Sequence, residues 1–164
     1  MTIQGMSMVQ AYDGKMGWSI QPFQGDLSAK KMNEEELKGA ETQGDIGGEL
    51  FDYAKKGSKV EFIGKDDMDG TEVLKLRLTK KDGNSTVYFF DASSYYIIRE
   101  VSKFKFQDKE QEGKTEFSNF ITVDGYTMAH SISSDLQGEM IIEKLEINPK
   151  VEDAIFAMPA ETKK

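Results

Sequence analysis

Residues 71–91 read Thr71-Glu-Val-Leu-Lys-Leu-Arg-Leu-Thr-Lys-Lys-Asp-Gly-Asn-Ser-Thr-Val-Tyr-Phe-Phe-Asp91. Leu74, Leu76 and Leu78 alternate with Lys75, Arg77 and Thr79, the period-2 pattern of a strand with one buried face and one wet face. On a helix, Leu76 would point well away from the face shared by Leu74 and Leu78. Asp82-Gly83 then supplies residues that tolerate positive φ, and Val87 to Phe90 returns as a β-branched and aromatic run. The stretch predicts two antiparallel strands joined by a short turn.

The same grammar extends in both directions. Downstream, Tyr95 to Phe106, Thr115 to Val123, Tyr126 to Ile132 and Glu139 to Ile147 read as strands, with a charged loop over Asp108 to Lys114 and a turn at Asp124-Gly125. Upstream, Val60 to Gly64 precedes a turn at Asp69-Gly70. Met1 to Val9 and Met16 to Ile20 flank a turn at Tyr12-Asp13-Gly14-Lys15 as an opening hairpin that Pro22 ends. Gly25 to Lys31 is polar and loop-like. Between hairpin and meander lies the helical part: Asn33 can cap, Glu36 can reach back to it, and Met32 and Leu37 occupy the positions of a hydrophobic staple. That helix should end near Gly44. A second is expected from Asp45, with Ile46, Leu50, Tyr53 and Ala54 on one face and Lys55-Lys56-Gly57 as its stop. Val151 to Met158 reads as a loop with one helical turn. The fold class expected is mainly β, an antiparallel meander forming a curved, half-open barrel with a short helical lid, in one domain spanning residues 1–164.

Composition narrows the function classes. A chain of 164 residues with net charge -8 and no clustered Lys/Arg stripe argues against nucleic acid as a partner. Attraction to a lipid surface would have to come from apolar contact, because anionic headgroups repel an acidic protein. No stretch approaches the ~20 apolar residues of a spanning helix, so no membrane span is expected. Cysteine is absent, which excludes disulfides and thiolate metal sites and fixes no compartment. The first residues lack the basic start and apolar run of a secretion signal.

Residues that could do chemistry are few. His130, the single histidine, lies in a strand beside Met128 and Ile132; without a nucleophile or a second histidine it reads as structural or merely exposed. Lys65-Asp66-Asp67-Met68-Asp69-Gly70 has lysine where a calcium loop needs its first carboxylate, and reads as a hairpin turn. Glu110 and Glu112 lie in charged surroundings with nothing apolar to raise a pKa. No phosphate-cradling glycine loop or nucleophile elbow is present. No enzyme activity and no cofactor are expected.

The later strands carry apolar residues on both faces: Tyr88 and Phe90 against Val87 and Phe89, Tyr96 and Ile98 against Tyr95 and Ile97, Met140 and Ile142 against Ile141 and Leu145. A sheet with one face in water needs only one such set. Helices or an oligomer partner can cover the second, making a structural or interaction module; alternatively the sheet curves around an apolar hollow, partly plugged by Leu37, Ile46, Leu50 and Tyr53.

The order of motifs resembles a known family. Ala11-Tyr12-Asp13-Gly14-Lys15-x-Gly17-Trp18, the capped acidic helix, Gly57-x-Lys59-Val60, Gly70-x-x-x-Leu74-Lys75-Leu76, Tyr88-x-Phe90-Asp91, Phe117-x-x-Phe120-x-x-Val123-Asp124-Gly125 and Phe156-x-Met158-Pro159 together resemble the outer-membrane lipoprotein-sorting proteins (LolA/LolB-like), in the branch common in Bacteroidetes-type bacteria. The resemblance implies a half-open barrel lidded by helices and a periplasmic or outer-membrane-associated carrier. Its ligand would be lipid or an acylated protein. Trp18, Leu37, Ile46, Leu50, Tyr53, Leu74, Leu76, Leu78, Tyr88, Phe90, Tyr96 and Ile98 are the candidate lining. Members usually carry a signal peptide, a helix and further strands before the Tyr-Asp-Gly turn, and proline where this chain has Ala129. The chain thus reads as N-terminally short, and an exposed sheet edge is expected to favour a homo-oligomer. Shelter has an energetic rationale, since an exposed acyl chain of about sixteen carbons costs roughly 12 kcal/mol at ~0.8 kcal/mol per CH₂.

Overall fold

The computed structural model describes residues 2–3, 6–22, 28–106 and 109–159, and the chain divides into two compact units. Residues 1–48 and 149–164 form the first and residues 49–148 the second.

In the first unit, β1 (Thr2–Ile3) pairs with β2 (Met6–Ser7), and β3 (Val9–Tyr12), β4 (Gly17–Ile20) and β5 (Lys30–Lys31) form a three-stranded antiparallel sheet. The β3–β4 turn is built by Asp13, whose Oδ1 accepts the backbone N–H groups of Lys15 (2.8 Å) and Met16 (2.7 Å) while Gly14 takes φ +91°. Lys30 and Lys31 are strand residues, not loop, because Ser19 and Trp18 face them in register; residues 23–27 of the expected loop lie outside the described residues.

Helix α1 (Glu34–Gly44) starts as the sequence dictates. Asn33 Oδ1 accepts from the N–H groups of Glu35 and Glu36, both at 2.9 Å, and Glu36 Oε2 accepts from the Asn33 N–H at 2.8 Å. Three glutamates in the first turn complement the helix dipole. A short 3₁₀ turn, Asp153–Phe156, belongs to the same unit and is the helical turn expected near the C-terminal end.

The second unit is a seven-stranded antiparallel meander: β6 (Lys59–Met68), β7 (Thr71–Thr79), β8 (Ser85–Asp91), β9 (Ile97–Phe106), β10 (Lys109–Val123), β11 (Tyr126–Ser134) and β12 (Gly138–Ile141), each hydrogen-bonded to its sequence neighbour. β6 and β12 are its edges, so the sheet is open and closes no barrel. Asp69-Gly70 and Asp124-Gly125 take positive φ at both residues, as two-residue hairpin turns require. Register shifts at Phe62/Gly64 and Phe89/Phe90 mark bulges, the devices by which a sheet bends.

Several boundaries differ from the sequence reading: the strand expected over Val60 to Gly64 runs on to Met68, and the one expected over Met1 to Val9 is divided among β1, β2 and β3. The second helix is absent: residues 46–57 form successive turns, because Gly48, Asp52 and Gly57 all adopt left-handed φ that a right-handed helix cannot contain. Strand β10 begins at Lys109 instead of Thr115. The charged stretch forms ladder, with Glu110 opposite Lys105 and Glu112 opposite Lys103, so unlike charges meet across the strands; the rest of that expected loop, residue 108, lies outside the described residues. Strand β9 begins at Ile97, because Tyr95 takes φ +61° in the turn that Asp91 organises. The last strand stops at Ile141, short of Ile147.

Candidate functional site

The first unit holds a cleft of about 780 Å³. The β3–β4 hairpin supplies Tyr12, Met16, Gly17 and Trp18, the start of α1 supplies Met32 and Leu37, and the C-terminal segment supplies Phe156 and Met158. Local sequence explains each placement. The staple brings Met32 and Leu37 together over Gly17, where a methyl group would collide with Met32 Sδ and come within 3.2 Å of Leu37 Cδ2. Trp18 is 8% exposed, and its indole N–H donates to the Phe156 carbonyl at 2.8 Å, pinning the C-terminal segment against the hairpin. Asp13, Lys15, Lys31 and Asp153 complete the lining. The Asp13 carboxyl is held below the usual carboxylate range by the Met16 and Lys15 backbone N–H groups.

The second unit carries the leucine pattern. Leu74 lies opposite Phe90, Leu76 opposite Tyr88 and Leu78 opposite Thr86, so these six share one sheet face, which continues into Glu100 and Ser102. Leu78 is fully buried, and so is Val73 on the opposite face of β7, the face that Lys75, Arg77 and Thr79 marked as wet. The leucine face is polar at its centre. Tyr88 Oη donates to Glu49 Oε2 at 3.4 Å, Glu49 pairs with Lys80, and the Thr86 and Ser102 hydroxyls bond at 3.0 Å. Burial, then the negative charge of Glu49, raises the Glu100 carboxyl, with Lys80 opposing. Burial likewise raises the Tyr88 phenol, reinforced by Glu49 and Glu100. The opposite face is laced by Arg99–Glu116 at 2.6 Å and Lys75–Asp66 at 2.8 Å.

Of the residues expected to line a hollow, Trp18 and Leu37 meet in the cleft of the first unit, and Leu74, Leu76, Leu78, Tyr88 and Phe90 share a face of the second. Ile46 is fully exposed, Leu50 is half-buried, and Tyr53 is exposed among the turns of residues 46–57. Tyr96 precedes β9 and stacks on Phe120 with ring centroids 4.8 Å apart. Ile98 is half-buried at the Phe89/Phe90 bulge. The sequence list omitted Met32, Phe156 and Met158, although the staple and the C-terminal motif marked all three. It also omitted Glu49, Lys80 and Glu100, whose grouping no local pattern announces.

His130 is buried in β11, and its Nε2 has no hydrogen-bond partner among the described residues. The acidic run ending at Gly70 forms the β6–β7 hairpin, where Asp66 pairs with Lys75 and Lys65 with Glu72 at 2.6 Å. Among the described residues no group of three or more His, Cys, Asp or Glu side chains is placed to hold a metal ion. No helix among them is long and apolar enough to cross a membrane.

No family model matches the sequence, and no curated protein matches it significantly. Solved structures do. A domain from Vibrio parahaemolyticus assigned to the outer membrane lipoprotein-sorting proteins superposes with TM-score 0.55 at 16% identity, over 86% of this chain and 63% of that one. A DUF1329 family protein from Desulfovibrio piger superposes with TM-score 0.55 at 13% identity, over 91% and 66% respectively. This chain spans less than two thirds of either. At such identities the likeness is one of backbone architecture: over most of its length the chain shares the fold of these two proteins, which agrees with the fold that the motif resemblance implied.

Proposed function

We propose that the chain is a non-catalytic carrier that shelters the acyl chain of a lipid or of an acylated protein, acting in the periplasm or at the outer membrane of a Gram-negative bacterium. The observation that carries this reading is the cleft walled by Trp18, Met32, Leu37, Phe156 and Met158. Its volume lies within the roughly 300–1,000 Å³ of small-molecule sites, and methionines adapt their shape to a flexible guest. The fold shared with a lipoprotein-sorting domain supports the same reading. Transfer of an acyl chain from bilayer to such a cleft exchanges one apolar environment for another, so carriage itself requires no nucleotide. The half-buried Leu74, Leu76 and Phe90 offer a second apolar surface within the reading. The test is native mass spectrometry of the purified protein together with uptake of a fluorescent fatty acid. Co-purified lipid or saturable uptake is expected; absence of both would end the proposal.

A second reading has its own observation. At the β12 end of the sheet, Tyr126, Met128, Met140 and Ile141 are exposed beside an unpaired edge, a surface suited to a second copy. Light scattering separates the two. A concentration-dependent dimer without saturable lipid uptake would favour the interaction module.

A further inference from the structure

The cleft that would shelter an acyl chain also carries charged side chains in its lining. Lys31 stands on β5 directly opposite Trp18, and Lys15 stands in the β3–β4 turn; both line the cleft and both are exposed. Neither forms an ion pair among the described residues, although Lys15 acts electrostatically on Asp13. Two carboxylates line the cleft as well, and they are differently placed. Asp13 Oδ1 is committed to the N–H groups of Lys15 and Met16, so this side chain is tied to its own turn. Asp153 stands on the C-terminal segment, in the first turn of its 3₁₀ element. Formal charge among these four lining residues is therefore balanced, and long-range attraction of an anion is not expected. What distinguishes the two signs at contact range is availability: two ammonium groups have donors to offer, while one of the two carboxylates has an oxygen already engaged.

We propose that the cleft prefers a single-chain amphiphile with an anionic headgroup, carboxylate or phosphate, whose tail lies against Trp18, Met32 and Leu37 and whose head is received by Lys31 and Lys15. This selectivity rests on the acyl-carrier reading and deepens it. Ammonium donors recognise carboxylate and phosphate oxygens alike, so the headgroup chemistry is shared between a fatty acid and a lipid phosphate. A neutral headgroup leaves the lysines in water. A cationic one meets them as like charge.

The experiment titrates the intact chain with four ligands of equal tail length, laurate, dodecyl phosphate, monolaurin and dodecylammonium, each below its micelle concentration, with binding read by calorimetry. Laurate and dodecyl phosphate are expected to bind more tightly than monolaurin, and dodecylammonium least. Lys15→Gln combined with Lys31→Gln should weaken the two anions roughly three- to tenfold, the scale of two exposed charge contacts, and leave monolaurin unmoved. Added salt should narrow the same gap. A larger loss for laurate than for dodecyl phosphate would point to a fatty acid as the source, and the reverse to a lipid phosphate. Equal binding of laurate and monolaurin, or equal loss of both in the double variant, overturns the headgroup preference and leaves the carrier reading standing. Failure of all four ligands to bind overturns both.

Discussion

The two units hold apolar side chains for different ends. In the first, Trp18, Met32, Leu37 and Phe156 surround a cleft whose lining also includes Asp13, Lys15, Lys31 and Asp153. In the second, Leu74, Leu76 and Leu78 share their face with Glu49, Lys80 and Glu100, and the best-buried of them, Leu78, fills its place completely. Both stretches follow rules of apolar patterning. Those of the first unit frame a cleft. Periodicity reports which face is withdrawn from water, whereas a cleft depends on how three separated segments meet, here a hairpin, a helix start and a C-terminal turn.

Substitutions sharpen the contrast. Leu78→Ala should cost about 2–5 kcal/mol in urea denaturation, as expected for truncating a fully buried leucine, and should leave ligand affinity per folded molecule unchanged. A loss of affinity without a loss of stability would place the guest on the leucine face. Gly17→Val acts on the other unit. It should destabilise by about 1–3 kcal/mol through overpacking against Met32 and Leu37, and fatty-acid uptake should fall with it because the cleft floor moves. Asn33→Ala removes both capping bonds at the start of α1 and should cost about 1 kcal/mol.

The smallest effect is a pH dependence in the second unit. Burial and Glu49 raise the folded-state pKa of Glu100, so its protonated form is the better accommodated one. Its contribution to stability is complete below the unfolded carboxylate range and is lost as pH rises through the folded value. Glu100→Gln should therefore be more stable than the parent near pH 7, with the difference vanishing below about pH 4. Urea titrations at both pH values check this, and a variant that is less stable at pH 7 would show that the Glu100 charge is compensated there.

Much of the fold was legible because its signals are local. Period-2 leucines, the Asp-Gly turns and the Asn33–Glu36 box each act over a few residues and survive into the structure. The helix expected from Asp45 failed where the sequence itself carried the warning, in Gly47 and Gly48, but the left-handed Asp52 had no such mark. The charged run Lys109–Lys114 looked like loop because composition hides register; Lys103 and Lys105 on β9 turn those charges into cross-strand pairs. At the site, Trp18 and Leu37 were readable as apolar candidates. Their partner Phe156 lies far along the chain and is joined to Trp18 through a backbone carbonyl, a bond that side-chain patterns do not encode.

Trp18 is the only tryptophan in the chain, so its fluorescence reports on the cleft alone. Titration with a fatty acid bearing a bromine quencher on its tail, compared with the unbrominated acid, should give saturable quenching at one ligand per chain. Unquenched Trp18 emission in a protein that nonetheless binds the fatty acid would put the guest elsewhere and contradict the assignment of the cleft.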